Sequence, residues 1–433
     1  MLLGVIIVTL DISMTSTALP AVAKSLGTEA AQTIWIVKVY YIAVVASLLP
    51  LAAIGEILGH RRIFLFGLVV YSAGSLASGL APSLSWLIAG RALLGIGAAA
   101  VSATTPALIK TLYPPENLGR GLGLYATVVA ISLTAGPTLA SLILSITHWN
   151  WLYLPNSAIG MFLVIMAVLG LPDTEKHVRV FDAWAAFLCA SMFALLLTAI
   201  SGMAHMSWKY VVFLFTSACL LGWILLKREQ GKSAPIFAID LFRIRMFTLS
   251  SITSVCAFSV QGMIFVVLPF FLIEKLGFTQ IEAGYLISPW AATLACMGVV
   301  AGRLIERFKP GVLGFVGLIV LAFGLVLVIT LPNEPSLIDI VWRLMVCGVG
   351  YGMFQSPNMV AMMNSAPHNR SGSAGGILAT SRLMGQALGA TLVAFCFSAF
   401  GGHAIEYAFY IAVLIALCGA ITSLLRLTPF ALR

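Results

Sequence analysis

Asp11 lies in LDISMTSTALP (residues 10–20), near the middle of a long apolar run, and none of the other acids among the chain's fifteen Asp and Glu sits so deep in one. A charge at bilayer depth costs roughly 2.5–3.5 kcal/mol even on a lenient insertion scale, so it is rarely kept without a use. The chemistry open to such a carboxylate is reversible titration: it binds a proton or a cationic group in turn as its surroundings change. The plainer alternative is a structural Asp hydrogen-bonded to a neighbouring helix. Arg91 stands within the fourth apolar run, and a buried guanidinium must find an anion or carbonyls. Asp11 is its natural partner; the alternative is an Arg that snorkels to the outer interface about two turns away. Arg343 is taken as its late counterpart, Arg382 lies deeper near the middle of its own run, and Lys38 is a further basic residue in the second.

These residues are carried by a chain made for lipid. Of 433 residues, 61% are hydrophobic and 9% charged, and mean hydropathy is +1.05. Soluble domains carry about 25% charged residues, so a soluble protein is excluded. A bilayer core of about 30 Å needs roughly 20 apolar residues per helix. Fourteen such runs can be marked, joined by short connections with no room for a sizeable soluble domain. The first run has no basic region before it, no small-residue cleavage site, and carries Asp11, so it reads as a span and not as a signal peptide. It begins at once, without a preceding tail, which leaves a start upstream of Met1 open.

The net charge of +9 invites a nucleic-acid reading, but topology accounts for it. With the N-terminus inside, only Lys24, Lys209 and Lys275 fall in outside loops, whereas Arg61, Arg62, Lys110, Arg120, Lys227, Arg228, Arg303, Arg307 and Lys309 fall inside. That is the positive-inside pattern, and it places both termini in the cytoplasm of a multi-pass cell (inner) membrane protein. The seven Cys lie within apolar runs without metal spacing or a disulfide framework. No HExxH and no phosphate-binding loop of Walker type occurs, so neither metal hydrolysis nor ATP drives this chain. No nucleophile–base constellation is present either, and the chain reads as no enzyme, with no cofactor.

An internal repeat organises the runs. The early half reads Glu56, Arg91, Pro106, Arg120, Gly136; the late half reads Glu306, Arg343, Pro357, Arg370, Gly389. Successive spacings are 35, 15, 14 and 16 against 37, 14, 13 and 19. GPTLAS (136–141) answers GATLVA (389–394), and Leu19-Pro20 answers Leu268-Pro269, which sets Asp11 opposite Gln261. Gln261 cannot titrate, so any coupling is asymmetric. The fold class is therefore an all-α integral membrane protein: fourteen transmembrane helices, two pseudo-repeated six-helix bundles (1–172 and 246–433), two inserted helices (173–228) and a cytoplasmic linker (229–245). The linker sequence IFAIDLFRIRMF has the make-up of a surface amphipathic segment. Two such halves suggest a path at their interface, opened to each side in turn.

The motifs resemble those of the major facilitator superfamily, in its fourteen-helix drug:proton antiporter branch, over essentially the whole chain. LDISMTSTALP is similar to that branch's first-helix motif. AAIGEILGHRRIF (52–64) resembles the signature loop between helices 2 and 3, with Ala52 for the leading Gly and Glu56 for the Asp. LIAGRALLGIGAAA (87–100) resembles the helix-4 motif around its Arg, with Leu94 where a Gln is common; SLTAGPTLA (132–140) resembles the antiporter motif of helix 5, and HWNWLYLPN (148–156) the loop after it. The enterobacterial multidrug-efflux subgroup is the nearest likeness. The resemblance implies proton-coupled export from the cytoplasm, a role for Arg91 in proton transfer, and a bracing role for the Glu56, Arg61 and Arg62 loop in one conformational state.

The remaining expectations concern gating and substrate. Ser132, Gly136 and Ala140 put small residues on one helix face, and Pro137 adds a kink, so close helix contacts slide there. Glu306 with Arg307 braces the other half more weakly. Gln261, Trp290, Gln355, Asn358, Arg382, Tyr40 and Phe258 are candidates for substrate contact, each also readable as helix packing. The function anticipated is a secondary transporter exporting small amphipathic drugs or biocides against protons. A proton-coupled carrier for one metabolite is the alternative, and a channel or membrane sensor a further one. Partners are the small-molecule substrate, protons and the lipid bilayer, with no nucleic acid, and the protein acts as a monomer. Up to four basic side chains against one buried acid keep cationic, anionic and zwitterionic substrates all open.

Overall fold

The computed structural model describes residues 1–28, 30–114, 118–174, 181–203, 206–230, 239–332, 334–367 and 370–427. Among them the regular elements are all helical. The helices are α1 (Leu2–Leu26), α2 (Ala30–Leu58), α3 (His60–Gly79), α4 (Leu84–Leu112), α5 (Leu118–Ile146), α6 (Leu154–Gly170), α7 (Ala183–Gly202) and α8 (Trp208–Glu229). They continue with α9 (Ile239–Phe242), α10 (Arg245–Phe270), α11 (Gln280–Leu304), α12 (Pro310–Ile329), α13 (Leu337–Ser365), α14 (Ser371–Phe400) and α15 (Ala404–Leu424). All but the one-turn α9 are long and apolar enough to cross a membrane, which gives fourteen spans among the described residues. Lipid offers no hydrogen-bond partners, so apolar segments of this length close every backbone bond within themselves. Large apolar side chains such as Phe162, Ile165, Leu220 and Phe323 accordingly point outward.

The helix ends are set by local chemistry. Ser83, Asp182 and Ser336 accept hydrogen bonds from the amides of Trp86, Ala185 and Asp339 at the starts of α4, α7 and α13. Thr279 and Glu282 form a reciprocal capping box at the start of α11. Asp182 also accepts from Arg228 at 2.9 and 3.2 Å, tying the ends of α7 and α8 together. The turn from α2 to α3 passes through Gly59 at φ 96°, a conformation that strains any side-chain-bearing residue.

The chain divides into two compact units. One holds Met1–Pro114, Ala135–Ala238 and Ser371–Thr380; the other holds Pro115–Thr134, Ile239–Arg370 and Ser381–Arg433. In the first, α4 packs against α2 and α3, α6 against α3, and α7 against both α2 and α8. In the second, α13 packs against α11 and α12, and α15 against α10 and α12. At the end of α15, past the span, Arg426 is buried; burial pushes its guanidinium down to about 10.

The two units repeat the same close approaches. A Cβ at Gly97 would meet the backbone of Tyr71 and Gly67 on α3; one at Gly350 would meet Leu321 and Gly317 on α12. Gly95 abuts the Tyr40 carbonyl on α2, and Gly348 the Trp290 carbonyl on α11. Gly136 abuts Ser13 on α1, and Gly389 abuts Ser259 and Met263 on α10. Gly67 to Gly317 and Tyr40 to Trp290 are steps of 250 residues; Gly97 to Gly350 and Gly136 to Gly389 are steps of 253. This register sets Gln261 opposite Asp11 and Trp290 opposite Tyr40. It also corrects one expectation: Leu344, and not Arg343, stands opposite Arg91. Arg343 matches Gly90; it donates to the Leu327 carbonyl on α12 and pairs with Asp339, one turn earlier on α13, at 3.0 Å. One extra residue between the Arg and the glycine pair, visible as the x4 spacing to Gly348, moves that side chain a full 100° around the helix.

Candidate functional site

The centre of the first unit is a charged cluster closed off from every side. α1 supplies Asp11 and α4 supplies Arg91, each 0% exposed. Arg91 Nη1 donates to Asp11 Oδ2 at 2.5 Å. Arg91 therefore does not snorkel. The guanidinium carbon lies 4.5 Å from the ring centre of Tyr40 on α2 and 5.6 Å from that of Tyr153, which opens α6. Tyr71 on α3 donates its hydroxyl to the Ile7 carbonyl at 2.9 Å, pinning α1 one turn before Asp11. Thr15 Oγ1, one turn after it, donates to the Tyr153 hydroxyl at 3.2 Å, and Ser75 Oγ holds the Tyr153 carbonyl at 2.8 Å. Five helices thus meet on one ion pair.

The sequence did not single out Tyr71, Tyr153 or Thr15. Tyr153 lies inside the HWNWLYLPN segment, but only the tertiary packing turns its ring onto Arg91. Thr15 follows Asp11 by four residues, one helical turn, and that spacing was the available signal.

The arrangement leaves capacity in both partners. Asp11 Oδ1 and Arg91 Nε have no hydrogen-bond partner among the described residues. The pair is held by one charge-assisted bond and not by a bidentate fork. Two aromatic faces offer the guanidinium a second, charge-stabilising contact that does not depend on the carboxylate. Such a cluster can lose its bond on protonation of the acid without stranding the cation entirely.

The residues expected to gate fall into separate contacts. Glu56, near the end of α2, accepts from Ser373 Oγ at 3.3 Å. Arg61 pairs with Asp173 at 2.5 Å and donates to the Val168 carbonyl at 2.6 Å, joining the start of α3 to the end of α6. Arg62 and Glu306 are exposed. Gly136 is pressed against Ser13 two residues from Asp11, and Pro137 lies buried within an unbroken α5. Of the expected surface segment, residues 236–247, the first three lie outside the described residues; the one-turn α9 and the start of α10 carry the rest, where Asp240 pairs with Arg370 at 3.0 Å.

The second unit holds an uncharged counterpart. Gln386 Nε2 donates to Gln261 Oε1 at 3.0 Å, and both are buried. Gln261, which stands opposite Asp11 in the repeat register, is thus paired with an amide and not with a cation. Asn358 donates to Ser254 Oγ at 2.7 Å and to the Ser250 carbonyl at 3.2 Å. Trp290 is buried against Phe265, its ring nitrogen unpartnered among the described residues. Gln355 and Arg382 are half-buried, and Arg382 donates to the Tyr125 hydroxyl at 3.4 Å. Gln386 was not anticipated, although its spacing of four from Arg382 puts both on one face of α14. The groups therefore sort by unit: Asp11, Arg91 and Tyr40 in the first; Gln261, Trp290, Gln355, Asn358 and Arg382 in the second.

Comparison with known proteins agrees with this architecture. The family model of the Major Facilitator Superfamily matches residues 1–390. The chain is 39% identical over 429 residues to the "Uncharacterized transporter YebQ" of Escherichia coli K12, covering 98% of this chain and 94% of that one. It is 28% identical to the "Multidrug resistance protein Stp" of Mycobacterium tuberculosis, over 89% of this chain and 73% of the relative. It is 26% identical to the "Riboflavin transporter RibZ" of Clostridioides difficile, over 94% of this chain and 88% of the relative. Fourteen apolar helices, a repeat that recurs contact for contact, and a family match across nine-tenths of the sequence converge: this chain belongs to the Major Facilitator Superfamily.

Proposed function

We propose that the protein is a proton-coupled exporter of small amphipathic compounds, working by alternating access as a monomer in the cell membrane with both termini cytoplasmic. The observation that carries the reading is the buried Asp11–Arg91 pair. Removing one partner from a buried pair leaves an uncompensated charge, at about 3–5 kcal/mol. Protonation of Asp11 does the same thing reversibly. The neutral acid releases Arg91 to the faces of Tyr40 and Tyr153, and α1 is freed from α4 beside the tight Gly136–Ser13 contact. A local charge event thereby biases a packed helix interface between two arrangements. Residues 1–172 and 246–433 serve as the two moving halves. Glu56, Arg61 and Arg62 brace one state, and Glu306 braces the other half more weakly. Multidrug resistance protein Stp supports the drug-efflux reading.

A second reading is a carrier for one metabolite, favoured by the likeness to a riboflavin transporter across nearly the whole chain. Proteoliposomes under an imposed pH gradient decide between them. Efflux reads as saturable, gradient-driven movement of several unrelated amphipathic dyes; riboflavin movement with no dye movement favours the single-metabolite carrier. Movement of neither, in protein shown to be folded, removes both.

A further inference from the structure

We infer that Arg382 is an anion site: it seats the carboxylate, or an equivalent single negative group, of a flat aromatic substrate in the second unit. This rests on the export reading and names the substrate class that the unit fits.

Arg382 is the twelfth residue of the thirty in α14, well inside a membrane span. The other ionisable charges on the spans of this unit lie near helix ends or in connections. Arg343 pairs with Asp339, Lys275 with Glu406, and Arg370 with Asp240. Arg382 has no acid partner among the described residues; its one hydrogen bond goes to the neutral Tyr125 hydroxyl, at a long 3.4 Å. It is half-buried and so remains reachable. Arg91, by contrast, is wholly buried and neutralised by Asp11. A cation kept at bilayer depth without a counter-charge is costly, and a transported anion supplies that charge. A guanidinium is suited to the task because its planar donors match a carboxylate's two oxygens.

The surroundings fit the rest of such a molecule. One turn along α14, Gly385 abuts Phe258 on α10, which stands edge-on to Tyr351 and Phe354 at 5.9 and 6.4 Å. The Tyr351 hydroxyl is buried without a partner among the described residues. Gln386 lies one turn from Arg382 on the same face of α14. An aromatic wall, a spare hydroxyl and one cation select a flat anion over a lipophilic cation.

The test uses the full-length protein purified in detergent, with 2-naphthoate, the neutral 2-naphthamide and a naphthylmethyl-trimethylammonium cation as probes, read by titration calorimetry. Naphthoate is expected to bind about tenfold or more tighter than the amide, the strength of one charge-assisted contact. Arg382→Gln brings naphthoate down to the level of the amide, and Arg382→Lys restores part of the difference. Equal binding of acid and amide by the wild-type protein, tighter binding of the cation, binding of no probe, or an undiminished preference in Arg382→Gln overturns the inference. Transport of the same probes into proteoliposomes is scored separately. Naphthoate bound but not moved leaves the anion site standing and removes export. The cation pumped, with no preference for naphthoate, leaves export standing and removes the anion site.

Discussion

Arg91 and Asp11 stabilise the fold only as a pair. Each alone is a charge in the driest part of the first unit, with one bond to the other and one polar atom to spare. Arg91→Met should therefore lower the thermal midpoint of the detergent-purified protein sharply, on the order of 3–5 kcal/mol of destabilisation. Adding Asp11→Asn to Arg91→Met should recover much of that loss, because the double variant buries no net charge. A double variant no more stable than Arg91→Met alone would mean that the pair does not share its energy in this way. Both members could be read from the sequence, because each is the isolated charge of its run and the two signs must meet. Their setting could not. Tyr40, Tyr71 and Tyr153 come from three helices separated by long stretches, and periodicity on an all-round apolar helix does not say which residue faces which neighbour.

Among the elements, α5 carries both a tightly packed and an open glycine. A Cβ at Gly136 would fall 2.6 Å from Ser13 Oγ, closer still to Ser13 Cβ, and 3.1 Å from the Met14 amide, whereas one at Gly123 would meet nothing within 4 Å. Gly136→Leu should disable transport and cost roughly 1–3 kcal/mol or more through overpacking, while Gly123→Ala should leave both within error. A functional Gly136→Leu protein would show that α1 and α5 need not stay in contact. The small-residue spacing announced close packing, but not its partner. The late half shows the same limit: the sequence landmarks align Arg343 with Arg91, one residue away from the register that the contacts of Gly348 and Gly350 fix. Sequence landmarks resolve a repeat to within a residue or two. On a helix that error decides which neighbour a side chain meets.

For the whole molecule, the fourteen spans followed directly from composition and run length, since lipid imposes one solution on such segments. The charge bias between loops supports an inside face carrying Lys309 and an outside face carrying Lys209, both exposed. A membrane-impermeant maleimide added to intact cells should label Lys209→Cys, and Lys309→Cys only after lysis; the reverse pattern would invert the proposed orientation. The proposed anion site was not legible in the sequence, because only packing sets Tyr351 against Phe258 and Gln386 against Gln261. Linkage makes proton coupling measurable without a membrane: if proton and substrate oppose one another, substrate binding must expel protons. In weakly buffered detergent solution, over an acid-to-alkaline series, the wild-type protein should release about one proton per substrate bound at some pH, and Asp11→Asn should release none. Equal release from the Asn variant, or no release from the wild type at any pH, would contradict the assignment of Asp11 as the proton-carrying group.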